Sequence, residues 1–323
     1  MKPALRLLQL LFPLAVLLLV LVSIADNPAL HLLLSAAFAQ VTWASVLATV
    51  PGQMAAVLLC TAALHVLRPG VGFGASLSSR LLRDAGGNLL VFMPGLGEII
   101  STRALVLSGG QTRRAITAVA IDSVTEILGQ LPYMLLALWV VPRFLSAAHM
   151  PQISLDSWQI TAGFGMTLLA IAATITLLKQ RGIWPKIQRR LHIEHRLFQR
   201  GLRQNPRGIP LSVLLHIAAW ACGGLQFWMA ARALGLDISL FAALAVDSVA
   251  YAARAIVFFI PAGLVLQEAS LIGAGLVFGL PAPAALALGL VLRLRDGLFG
   301  LSLILWPLLE WRRRGGSRRS NRS

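Results

Sequence analysis

Charge is scarce in this chain. Only 12% of its 323 residues are Asp, Glu, Lys or Arg, where a soluble globular domain carries roughly 25%. Cysteine is scarcer still: Cys60 and Cys222 stand alone, each inside an apolar stretch. They read as small packing residues and say little about redox compartment. Nucleotide-binding and hydrolytic signatures are missing too, with no P-loop, no Gly-x-Ser-x-Gly elbow and no Cys-x-x-Cys. These shortages argue against a soluble enzyme, a disulfide-stapled domain and the common nucleophile-based hydrolases.

What the chain has in abundance is hydrocarbon. It is 57% hydrophobic, with a mean hydropathy of +0.78. A bilayer-spanning helix needs about 20 predominantly apolar residues, and stretches near 7–24, 44–67, 111–141, 158–178, 210–235 and 282–308 meet that requirement. The expected fold is all-α, a polytopic integral membrane protein with about 6 full spans. Residues 1–24 have a basic start and a long apolar run, read here as a retained first span and not a signal peptide. PALHLLLSAAFAQV is too short to span and is expected to lie along an interface. Trp43, Trp139, Trp158, Trp306 and Trp311 fall near span ends, as interfacial anchors do.

The net charge of +16 would suggest nucleic acid in a soluble protein. Here the basic residues lie between apolar spans and at the C-terminus, which marks cytoplasmic loops. The implied partners are membrane lipids, with anionic headgroups at the cytoplasmic face; nucleic acid is not expected, and the oligomeric state is open. Applied along the chain, the rule puts both termini, Arg68, Arg80, Arg83, Arg113, Arg114 and the basic loop 179–209 on the cytoplasmic side. Residues 1–311 then form one transmembrane domain, followed by a basic, disordered tail over 312–323. His192 and His195 look superficially like a metal pair, but they lie among arginines and read as part of a solvated or lipid-facing helix. No metal and no cofactor are expected.

Two regions are apolar but interrupted. VFMPGLGEIIS at 91–101 breaks at Pro94, Gly95 and Gly97, and VFFIPAGLVLQEAS at 257–270 breaks at Pro261 and Gly263. Each half is too short for a full crossing, which predicts two re-entrant broken-helix hairpins. Each delivers one acid, Glu98 or Glu268. Those glutamates are 170 positions apart, and the same offset pairs Gly109 with Gly279, Ala104 with Ala274, Ala115 with Ala285, Glu126 with Asp296 and Leu128 with Leu298. The regions 76–141 and 240–308 therefore read as repeats, inserted from opposite sides of the membrane, a recurring plan of transporters.

Seven of the twelve acids fall in apolar segments: Asp84, Glu98, Asp122, Glu126, Asp247, Glu268 and Asp296. A carboxylate at the bilayer centre costs about 2.5–3.5 kcal/mol on insertion scales, so each needs a partner, water or a proton. Candidate partners are Arg103, five residues after Glu98, Arg254 before the second break, and Arg293 and Arg295 beside Asp296. Asp122 and Glu126 share one helix face and would repel unless a cation or proton lies between them. The plainest alternative for this set is buried ion pairing that fixes helix register. The functional reading is a mid-membrane polar site holding a phosphate headgroup beside Arg293 and Arg295, with acids binding protons. An intramembrane hydrolase built from Asp122 and Glu126 is a lesser alternative.

NLLVFMPGLGEIISTRALVLSGG, followed by AITAVAIDSVTEIL, resembles the first half of the flippase-like transmembrane region of lysylphosphatidylglycerol synthases. FFIPAGLVLQEASLIGAGLVFGLPAPAALALGLVLRLRD resembles the second half, and Gln267 before the glutamate is similar to the hopanoid-biosynthesis-associated branch. The resemblance implies lipid translocation or handling in a bacterial inner membrane, acting on hopanoids or anionic phospholipid. It points to Pro94, Gly95, Gly97, Glu98, Glu126, Pro261, Gly263, Gln267, Glu268, Arg293 and Asp296. Those synthases carry a soluble aminoacyl-transfer domain after the membrane region, whereas this sequence ends in RRRGGSRRSNRS. The expectation is therefore a non-enzymatic protein. The rival expectation is an accessory scaffold of membrane lipid biosynthesis.

Overall fold

A computed structural model describes residues 28–89, 95–147, 199, 203, 205–256 and 263–311. All regular structure among them is helical: α1 (Pro28–Gln40), α2 (Trp43–Val66), α3 (Phe73–Leu89), α4 (Leu96–Leu107), α5 (Thr112–Ala147), α6 (Gly208–Ala233), α7 (Leu240–Ile256), α8 (Gly263–Val277) and α9 (Ala282–Gly300), then a 3₁₀ turn Leu301–Ile304 and a helical stretch over 305–311. The expected spans at 7–24 and 158–178, the pair His192 and His195, Pro94, Pro261 and the tail lie outside the described residues.

Three described helices are long and apolar enough to cross a membrane: Trp43–Val66, Thr112–Val140 and Gly208–Ala233. Their outward sides are greasy. On α5, Ile127, Leu131, Leu135 and Leu138 form one exposed stripe at helical spacing, which in water would be a liability and in lipid is the natural face. The expected last span is shorter than its apolar run suggests. Its α-helix ends at Gly300 and carries three charged residues, Arg293, Arg295 and Asp296.

The four helices flanking the two breaks are short. The 12 residues of α4 and the 15 of α8 rise about 18 and 22 Å at 1.5 Å each, against roughly 30 Å of hydrocarbon. Neither crosses alone. Gly95 caps α4 at φ +82°, a conformation open to glycine at no steric cost. The arms α3 and α4 then meet closely: a Cβ on Gly97 would stand 2.8 Å from the Arg83 carbonyl oxygen, and Ser79 Oγ lies 2.8 Å from Ser101 Oγ.

The turns that follow α4 and α8 have the same construction. Gly109 and Gly279 both have positive φ, 96° and 77°. The next amide donates back five residues in each turn, Gly110 to Leu105 and Leu280 to Gly275, both at 2.9 Å. These are Schellman turns, in which glycine supplies the left-handed residue that ends the helix.

The described helices pack around two main apolar cores. One joins Leu64, Leu105, Ala115, Val119 and Ile209; the other joins Phe227, Ala243, Val246, Leu271, Ala285 and Leu288. Helix α1 does not stand apart. Ala37 is fully buried against Leu286 and Ala287 of α9, while Leu32 and Phe38 face outward.

Candidate functional site

All seven acids of the apolar segments fall into two charged clusters, four in the first and three in the second.

In the first cluster the cations come from α3. Arg80 Nη2 lies 2.7 Å from Glu126 Oε1 and Arg80 Nε 3.0 Å from Asp84. Arg83 reaches Glu98 at 2.9 Å, Asp122 at 3.0 Å and Glu126 at 2.7 Å. The positive charge required between Asp122 and Glu126 comes from both arginines: Arg83 Nη1 serves both acids, and Arg80 Nη1 lies 3.3 Å from Glu126 Oε2 and 3.7 Å from Asp122 Oδ2. Arg83 Nη2 also donates to Ser123 Oγ at 3.2 Å. From α6, His216 Nε2 lies 3.1 Å from Asp122 Oδ1, and His216 Nδ1 faces Cys60 Sγ of α2 at 3.7 Å. Arg80, Arg83, Asp122 and His216 are all buried.

Helix α3 can do this because its sequence, FGASLSSRLLRDAGGNL, spaces Ser76, Ser79, Arg80 and Arg83 at helical intervals, and all four are buried. The arginines are three residues apart and the acids of α5 four apart, so each pair lies on one face of its helix, and the long guanidinium side chains of α3 reach the α5 acids. This corrects the loop placement of Arg80 and Arg83: they are inside the protein, not at its surface. Arg113 and Arg114 do lie exposed at the start of α5.

The second cluster takes its acids from α7, α8 and α9. Arg293 Nη2 donates to Gln267 Oε1 at 2.6 Å and Glu268 Oε1 at 3.0 Å. Arg295 pairs with Asp296 at 2.7 Å and donates to Gln226 of α6. Tyr133 Oη donates to Asp247 Oδ2 at 2.6 Å. A small pocket, with space for about one water, is lined by Asp247, Tyr251, Gln267, Glu268, Arg293, Arg295 and Asp296 among others. Glycines make room for the acids: a Cβ on Gly223 would stand 2.9 Å from Asp247 Oδ2, and one on Gly289 would collide with Glu268.

Aromatic rings join the clusters. Trp220 donates to the Glu126 carbonyl at 3.4 Å, and its ring meets Tyr251 at 5.2 Å and Tyr133 at 6.0 Å between centroids. Tyr133 and Tyr251 are the chain's two tyrosines.

Of the residues singled out by sequence, the structure gathers Glu98, Asp122 and Glu126 in the first cluster and Gln267, Glu268, Arg293, Arg295 and Asp296 in the second. It does not bring in the other two cations. Arg103 turns away and pairs with Glu310 at 3.1 Å, because five residues along a helix is not the same face as Glu98. Arg254, half-buried on α7, makes no ion pair among the described residues. Gly95 caps the start of α4, Gly97 lies in its first turn and Gly263 begins α8. Sequence reasoning missed Arg80, Arg83, Tyr133, His216, Trp220 and Gln226.

The model of the family described as "Lysylphosphatidylglycerol synthase TM region" matches residues 10–303. No curated protein and no solved structure matches the chain.

Proposed function

The chain belongs to the lysylphosphatidylglycerol synthase transmembrane-region family, a membrane protein of lipid-related function, and from that premise we propose that it moves lipid headgroups across the bilayer through the two charged clusters. It sits, on this reading, in a bacterial inner membrane with both termini cytoplasmic. The two broken hairpins are inverted repeats, supported by the shared turn geometry at Gly109 and Gly279.

One observation carries the reading: Arg293 is about one-third exposed and paired with Glu268, itself about one-quarter exposed. A cation this open, lining a pocket beside Asp296 and Arg295, is positioned to exchange its carboxylate for a phosphate. The exchange needs the acids to let go. Arg293 and Arg295 face Asp247, Glu268 and Asp296, and Arg80 and Arg83 face Asp84, Glu98, Asp122 and Glu126, so each cluster has more acids than arginines. Carboxylates in surplus in a low-dielectric interior take up protons or cations. Release of Glu268 frees Arg293 for an anionic headgroup, and return of the arginine to the acid releases the lipid. A hopanoid is the alternative cargo, on the resemblance of Gln267 and its neighbours to the hopanoid-associated branch.

A second reading has its own observation. No buried side-chain nitrogen or oxygen among the described residues lacks a partner, as in a structural network that fixes helix register for a biosynthetic scaffold. Purified protein in vesicles separates the readings. Movement of a phosphate-headgroup lipid that is lost in Arg293→Gln supports transport of anionic lipid. Movement of a hopanoid alone reassigns the cargo. No movement of any tested lipid by the wild type favours the scaffold, and a change in the lipid's mass favours an enzyme.

A further inference from the structure

We infer that Cys60, His216 and Glu126 form a binding site for a zinc-class divalent cation in the membrane interior. The inference is independent of lipid transport. Three different helices, α2, α6 and α5, bring a sulfur, an imidazole nitrogen and a carboxylate oxygen within 4.8 Å of one another. This mixed set suits zinc, which takes Cys, His and carboxylate ligands at about 2.0–2.3 Å. In a tetrahedral site those bond lengths place sulfur and nitrogen ligands about 3.5 Å apart. Cys60 Sγ and His216 Nδ1 already stand at 3.7 Å.

The imidazole is oriented from behind. His216 Nε2 faces Asp122 Oδ1 at 3.1 Å; a proton on Nε2 donated to Asp122 leaves the Nδ1 lone pair turned toward Cys60. A ligating histidine whose other nitrogen is held by a carboxylate is the usual second-layer arrangement of zinc sites. His216 is fully buried and Cys60 nearly so, and such placement holds the geometry while excluding bulk water.

Electrostatics gives a separate reason. Arg80 and Arg83 leave two of the four carboxylates around them uncompensated, and a dication supplies the missing charge. Binding displaces the Cys60 thiol proton, as coordination of a thiol does, so the cluster passes from two surplus negative charges to one. Glu126 is shared: its Oε1 pairs with Arg80 and its Oε2 with Arg83, both at 2.7 Å, and a carboxylate has about four lone-pair sites.

The test uses the full chain in detergent, tag removed and chelator-treated, then loaded with zinc or cobalt and freed of excess metal. The inference predicts a single retained zinc per chain and, in the cobalt form, a thiolate-to-cobalt charge-transfer band in the near ultraviolet. Cys60→Ser removes the band and His216→Asn removes most of the retained metal, whereas Cys222→Ser changes neither. If the Cys60 variant does not fold, zinc must still raise the thermal stability of the wild type and of Cys222→Ser. No retained zinc, a cobalt form without a thiolate band, retention unchanged in folded Cys60→Ser, or no stabilisation by zinc would each overturn it.

Discussion

Arg83 and Glu98 are ion-paired at 2.9 Å across the first hairpin, from α3 to α4. The corresponding acid of the second hairpin, Glu268, takes its cation from the helix that follows it: Arg293 of α9, at 3.0 Å. Position 293 lies 170 beyond Ser123, and Ser123 is the hydroxyl that Arg83 touches from the other side. The two clusters thus place a guanidinium over the hairpin glutamate from opposite flanking helices.

Arg83 is the cation on which the first cluster depends. Replacing it by Ala leaves Glu98, Asp122 and Glu126 short of a buried partner, and the expected loss is about 3–5 kcal/mol. Arg103→Ala breaks a far more exposed pair with Glu310 and should cost at most about 1 kcal/mol. Unfolding of the two variants in detergent, followed by helical circular dichroism, compares them directly.

Arg80 and Arg83 also show where sequence reading fails. Every arginine flanking an apolar span counts as a loop residue under the charge-asymmetry rule, and α3 is polar enough to pass for a loop. The legible signal was the matched spacing of Arg80 and Arg83 with Asp122 and Glu126. Glu98, Glu268, Arg293 and Asp296 were legible because an acid or base in hydrocarbon is conspicuous. The all-helical fold and the spans at α2, α5 and α6 were legible from hydropathy alone. His216 and Gln226 were not: each is one polar residue in an apolar helix, and only the packing of α6 on α2, α5 and α9 gives it a partner. Arg103 was chosen for nearness in sequence, which a helix converts into the wrong direction.

Glycine contacts set how closely the helices approach. A Cβ on Gly129 would stand 2.6 Å from His216 Cβ and 3.1 Å from that residue's backbone, so Gly129→Ala must push α5 from α6 at the first cluster. The expected loss is about 1–3 kcal/mol. Gly87 meets nothing within 4 Å, and Gly87→Ala should be neutral or stabilise by up to about 1 kcal/mol through helix propensity. Thermal unfolding of both variants checks the contrast.

Tyr133 ties α5 to the second cluster through Asp247. Tyr133→Phe keeps the ring beside Trp220 but removes the hydroxyl 2.6 Å from a buried carboxylate. The expected cost is about 1–3 kcal/mol, and Asp247→Asn in the same background should recover part of it. A double-mutant cycle on unfolding free energies measures the coupling.

Gly289→Ala is expected to act on transport more than on folding, since the added methyl meets the end of the Glu268 side chain and not backbone. Glu268 must then leave Arg293. Lipid-movement rate and thermal stability, measured on the same preparation, should separate, the rate falling while stability changes by less than about 1 kcal/mol.

The central claim is that Glu98 and Glu268 operate the two clusters in lipid movement. Its most direct test is transbilayer movement of a phosphate-headgroup lipid in vesicles holding wild-type protein, Glu98→Gln or Glu268→Gln. The account predicts movement by the wild type and its loss in both folded variants. Movement retained at wild-type rate in both would contradict it.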